Sequence, residues 1–126
     1  MGEKILKAYA ELIQKAVSDN RDDIVAVFDT ELSYLFANDA ACKLLKKENH
    51  ELVGKNLLEL FPNLTASKSH RHLLQALSGE EVRRVRSEGT FTRNGAIYES
   101  SYYPLKSKNK VEGILAITKK LYYPEV

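Results

Sequence analysis

The chain has one cysteine and no tryptophan among its 126 residues, and these two absences exclude whole classes of chemistry. With Cys42 alone, no internal disulfide and no cysteine-built zinc site can form. Charge of one sign is also scarce: 19 basic against 17 acidic residues leave a net charge of +2, so no general attraction to nucleic acid is expected. Long apolar runs are missing as well. None approaches the ~20 residues that cross a bilayer. The opening stretch "MGEKILKAYAEL" carries Glu3, Lys4 and Lys7 where a secretory signal needs unbroken apolar sequence. The expectation is a cytoplasmic domain with neither a nucleic-acid nor a membrane partner.

What the chain does have is an ordinary globular composition, 44% hydrophobic and 29% charged, at a length that buries one core without staples. Ile5, Leu6, Tyr9, Leu12, Ile13, Ala16 and Val17 recur at spacings of three and four, which predicts an amphipathic helix over 3–18. "IVAVFD" at 24–29 and "YLFA" at 34–37 read as a hairpin across the turn-forming "DTELS". Asn38 then marks an abrupt change from strand to helix, since its side-chain oxygen can accept a free backbone N–H at a helix start. That helix runs to about Lys47. Gly54 and Pro62 break 48–66 into short helical pieces, and a longer helix from Ser67 to Ser78 stops at Gly79. Val82–Phe91, Ala96–Lys106 and Val111–Leu121 read as three closing strands, with Asn94-Gly95 as a hairpin signal. The order predicts an α+β fold whose antiparallel sheet has its helices gathered on one side.

The ordered set "DDIVAVFDTELSYLFANDAACKLL", "ELVGKNLLELFP", "ALSGEEV" and "RNGAIYESSYYPLKSKNKVEGILAIT" resembles the PAS (Per-Arnt-Sim) sensor family over residues 22–118. The resemblance implies a five-stranded antiparallel sheet in the order 2-1-5-4-3, whose inner face and helices enclose a small cavity. It divides the chain into an N-terminal helix at 1–21, a PAS domain at 22–121 and a tail at 122–126. It also implies a sensory and dimerisation module of a bacterial or archaeal signalling protein, relaying the state of its cavity to an effector such as a kinase, cyclase or regulator. The expected state is a homodimer, with Ile5, Leu6, Tyr9, Leu12 and Ile13 as candidate interface residues. "AIT" at 116–118 departs from the family's "DIT"-type exit motif, which leaves the downstream partner open.

The candidate cavity residues are Phe36, His70, Leu73, Tyr98, Ser100 and Tyr102. Along "AIYESSYYPL", alternation puts Tyr98, Ser100 and Tyr102 on one face, and three hydroxyls there suggest a polar small ligand, ordered water or a hydrogen-bonded cluster. His70 shares a helical stripe with Ala66, Leu73, Leu74 and Leu77. The position that carries the haem-ligating histidine in oxygen-sensing relatives falls on Lys68, which argues against haem. Flavin is disfavoured by the lack of a cysteine in "GKNLLELFP" and of any tryptophan. His70 and His72 lie about 200° apart on a helix and cannot share one metal from one face. Arg83, Arg84 and Arg86 read as a charged strand guarding a sheet edge, and "NLT" at 63–65 carries no meaning in an intracellular chain. No catalytic constellation assembles, so no enzyme is expected. The alternatives are a ligand-free dimerisation scaffold, or a small cone-shaped α+β enzyme that would need Glu99 or Glu112 buried beside Tyr98 or Tyr102.

Overall fold

The computed structural model describes residues 2–88 and 97–122, with no side-chain description at 87, 88 and 122. The Asn94-Gly95 hairpin signal lies outside these residues. Five strands, β1 (Ile24–Asp29), β2 (Tyr34–Ala37), β3 (Val82–Glu88), β4 (Ile97–Ser107) and β5 (Lys110–Tyr122), form one antiparallel sheet in the order β2-β1-β5-β4-β3. This is the expected topology. The interior strand β1 reads as a continuous apolar run because both of its faces are covered. Ala26 and Phe28 join the inner core with Ile114 and Ala116, while Val25 and Val27 join an outer core with Leu105 and Leu115.

Local chemistry makes the turns. Asp29 Oδ1 accepts from the backbone N–H groups of Glu31 and Ser33, both at 2.9 Å, which closes the β1–β2 connection. Between β4 and β5, Lys108 and Asn109 adopt φ of 52° and 66°, two successive left-handed residues of the kind that join strongly twisted hairpins. Gly113 in β5 is required by close approach: a Cβ there would meet the carbonyl oxygen of Phe28 at 2.5 Å.

The N-terminal segment departs from the single expected helix. It forms α1 (Gly2–Ala8) and α2 (Ala10–Asp19), separated at Tyr9, whose φ of −114° and ψ of 21° are not helical. Both lie against the outer face of the sheet, opposite the other helices. Ile13 and Ala16 are buried there, and Ile5, Leu6, Tyr9 and Val17 pack beside them. The Tyr9 hydroxyl donates to Glu112 Oε1 at 2.7 Å and ties the break to β5. Burial and the adjacent carboxylate push the Tyr9 phenol up to about 12.

On the inner face stand α3 (Asp39–Leu45), α4 (Asn49–Leu52), α5 (Leu57–Leu60), a 3₁₀ turn (Pro62–Ala66) and α6 (Lys68–Leu77). Asn38 caps α3 as expected, and does more. Its Oδ1 accepts from Ala41 N–H at 3.1 Å and also from Val25 N–H at 3.0 Å, while its Nδ2 donates to the Asp23 carbonyl at 2.8 Å. The strand-to-helix change at Asn38 therefore also fastens the start of β1. Ser67 caps α6 by accepting from His70 N–H at 3.3 Å, and Gly79, at φ 105°, lets the chain leave that helix.

Candidate functional site

Between the inner face of the sheet and α6 lies a small cavity of about 50 Å³. Its walls come from Ile24, Ala26 and Phe28 of β1, Tyr34 of β2, Ser100 and Tyr102 of β4, and Ala116 and Thr118 of β5. Leu57, Leu64, Ser69 and Leu73 close it from the helical side. Most of this lining is apolar, and among the described residues no charged side chain contributes to it.

One end of the cavity is polar. Ser100 and Thr118, paired across β4 and β5, bring their hydroxyl oxygens to 2.9 Å. The Tyr102 phenol hydrogen-bonds with Ser100 and with Ser69, which links α6 to the sheet through a chain of four hydroxyls. Burial raises the Tyr102 phenol above its ordinary value, and the two serine contacts offset only part of that. Tyr98, the next inward residue along β4, is 3% exposed, and its hydroxyl is buried with no hydrogen-bond partner among the described residues. Leaving such a group unpaired costs about 1–3 kcal/mol.

Of the candidate cavity residues, Leu73, Ser100 and Tyr102 line the cavity, and Tyr98 lies beside them on the same face without reaching its wall. Phe36 does not belong there. The β1–β2 register shifts between Val27 and Phe28, so Phe28 pairs with Tyr34 but Val27 pairs with Phe36. This bulge places Leu35 and Phe36 together on the outer face, packed under the N-terminal helices, Leu35 against Gly2 of α1 and Phe36 beside Ile13 and Val17 of α2. His70 is also misplaced. The stripe that α6 buries is Ser69, Leu73 and Ala76, and Leu74 is 48% exposed. The helix presents small residues where it comes nearest the sheet, which turns His70 to the flank, its Nδ1 3.3 Å from the Thr65 carbonyl.

The candidate interface residues are engaged within the chain. Ile13 is buried on the sheet, Ile5, Leu6 and Tyr9 are partly so, and Leu12 alone remains largely exposed. The carboxylates that an enzyme would need lie on the outer face. Glu112 accepts from Tyr9, and Glu99 borders a surface groove with Arg84, Ser101 and Tyr103. Burial raises the half-buried Cys42 thiol, as do Glu48 and Asp39. Among the described residues no group of three metal-ligating side chains comes together. No described helix is long and apolar enough to cross a membrane. At the sheet edge, β3 carries its arginines on a bulged strand, with Arg84 at φ 54° and its N–H donating to Ser101 Oγ at 3.1 Å. Reading the residues in isolation misses Ser69 and Thr118. Alternation along β5 from Ile114 through Ala116 puts Thr118 on the inner face; nothing comparable marks Ser69.

A five-stranded antiparallel sheet in this order, with helices over one face and a cavity against its centre, defines the class: an α+β domain of PAS-like topology. The PAS fold family model matches residues 18–121, and the chain belongs to that family. Among solved structures, it is similar to a sensory box sensor histidine kinase from Vibrio cholerae, with 15% identity over 96% of this chain and 99% of that one and a TM-score of 0.67. It is similar also to the PAS domain of nitrogen regulation protein NR(II) from Vibrio parahaemolyticus, with 19% identity over 86% and 98% and a TM-score of 0.63. A third likeness is to the Vibrio cholerae VqmA dimer, a LuxR-type receptor, with 15% identity over 88% of this chain and 51% of that chain and a TM-score of 0.67. At these identities the likeness is one of fold. Among curated proteins none matches the sequence.

Proposed function

We propose that the chain is the sensory module of a signalling protein, reading a small molecule in the cavity between the sheet and α6 and passing its presence to an effector domain. The observation that carries this reading is the hydroxyl chain of Ser69, Tyr102, Ser100 and Thr118, set into an otherwise apolar wall. Aliphatic residues would fill the same space without hydrogen bonds to satisfy, so the hydroxyls point to a polar contact made there. Occupancy would move α6 relative to the sheet, and β5 would carry the displacement to the N-terminal helices on its other face.

The cavity's size favours a second reading. At about 50 Å³ it holds one or two waters, against roughly 300–1,000 Å³ for ordinary ligand pockets. A ligand must therefore open the space between α6 and the sheet, or the module serves as a ligand-free dimerisation scaffold. Native mass spectrometry of the freshly purified chain, compared with the denatured mass, separates the two. A reproducible added mass that disappears on denaturation is the expected result. A clean apo dimer favours the scaffold, and together with failure of added small molecules to bind at the cavity it would overturn ligand sensing.

A further inference from the structure

The polar end of the cavity carries more hydrogen-bond donors than its own contacts use. Among the described residues the four hydroxyls of Ser69, Tyr102, Ser100 and Thr118 are joined by three links, and each link consumes one O–H, so one O–H is left over there. Tyr98 adds a second donor without a partner among the described residues, buried one inward position further along β4. Among the described residues no charged side chain lines the cavity to compensate a ligand charge stripped of its water. The remainder of the wall, including Phe28, Leu57 and Leu73, is apolar.

Resting on the ligand-sensing reading above, we propose that the ligand is a small, neutral, largely apolar molecule bearing a hydrogen-bond acceptor such as a carbonyl oxygen, and that Tyr98 selects it by donating its hydroxyl to that acceptor. A ligand larger than the present cavity extends it along β4 and so comes within reach of Tyr98. A purely apolar guest leaves both surplus donors unpaired. A carboxylate or ammonium group pays for its lost hydration with no counter-charge in the wall.

The test uses the isotope-labelled full chain and a matched set of probes: cyclopentanone, cyclopentane, cyclopentanecarboxylate and cyclopentylammonium, followed through the backbone amide resonances. The expected result is that cyclopentanone shifts the amides of Ser69, Ser100 and Thr118 and binds about fivefold more tightly than cyclopentane, as one added hydrogen bond implies. The charged probes leave those resonances unmoved. Tyr98→Phe abolishes the preference for the ketone while cyclopentane binding persists, and its spectrum reports whether the fold is intact. Equal binding of ketone and hydrocarbon, or a preference that survives Tyr98→Phe, overturns this assignment and leaves ligand sensing standing. A co-purified ligand charged at pH 7 overturns it too. If no probe moves these amides and the native mass carries nothing extra, the sensing reading itself falls.

Discussion

Replacing Asn38 by alanine tests how much of the fold hangs on one side chain. The residue is 5% exposed, and its amide makes three bonds, accepting from Val25 N–H and Ala41 N–H and donating to the Asp23 carbonyl. Truncation removes a helix cap, at about 1 kcal/mol. It also strands the N–H of Val25, a residue with no exposure, at about 1–3 kcal/mol for a buried unpaired group, while the part-buried Asp23 carbonyl can turn to water. Asn38→Ala is therefore expected to cost about 2–4 kcal/mol. That is a large share of the roughly 5–15 kcal/mol that holds a domain of this size together. Asn38→Ser keeps a capping oxygen for Ala41 N–H, but its side chain is too short to span both neighbours, so it should recover only about 1 kcal/mol. Urea unfolding followed by far-UV circular dichroism, with a common m-value, measures both variants. A loss below about 1 kcal/mol for alanine, or full rescue by serine, would refute the claim that Asn38 fastens β1 as well as capping α3.

Two further outcomes follow from the packing and the charges. Gly113→Ala should destabilise by about 2–3 kcal/mol, because the added methyl meets the Phe28 carbonyl, which belongs to the paired strand and cannot rotate away; chemical denaturation of the variant checks it. His72 is held below its ordinary value of 6.5 by burial and then by Arg71 and Lys68. The unfolded chain therefore takes up its proton first as the pH falls, and the stability contributed at neutral pH declines as the pH drops below 6.5. His72→Gln should show a shallower loss of melting temperature between pH 7.5 and 5.5 than the parent chain.

The parts of the fold that were legible in the sequence are those set by neighbouring residues. Asp29 closes its turn on its own loop, Asn38 caps the helix that follows it, and Gly79 stops the helix before it. The second task of Asn38, bonding Val25 and Asp23, depends on how β2 lies beside β1 and has no local signature. The same gap explains the two misplaced cavity residues. Strict alternation would keep Tyr34 and Phe36 on one face, but a bulge opposite Val27 separates them. On α6, hydrophobicity favours the stripe with the large side chains. The sheet instead receives Ser69 and Ala76, because close approach selects small residues. The N-terminal helix was readable as an amphipathic element, yet its break at Tyr9 answers to Glu112, about a hundred residues away in the chain. Within the site, the alternation of β4 identified Ser100 and Tyr102, whereas the partners that complete their hydroxyl chain arrive from α6 and β5.

The central strand β5 makes the interior and exterior of this molecule a single peptide apart. Ala116 and Thr118 face the cavity, while Leu115 and Ile117, the residues interleaved with them, belong to the outer core beneath α2. Loss or gain of one residue upstream in that strand would exchange the two sets, putting leucine and isoleucine into the chamber and threonine under the helix. Chain length in β5 is thus held fixed more strictly than residue identity: its sequence can drift within size and polarity limits, but its count cannot.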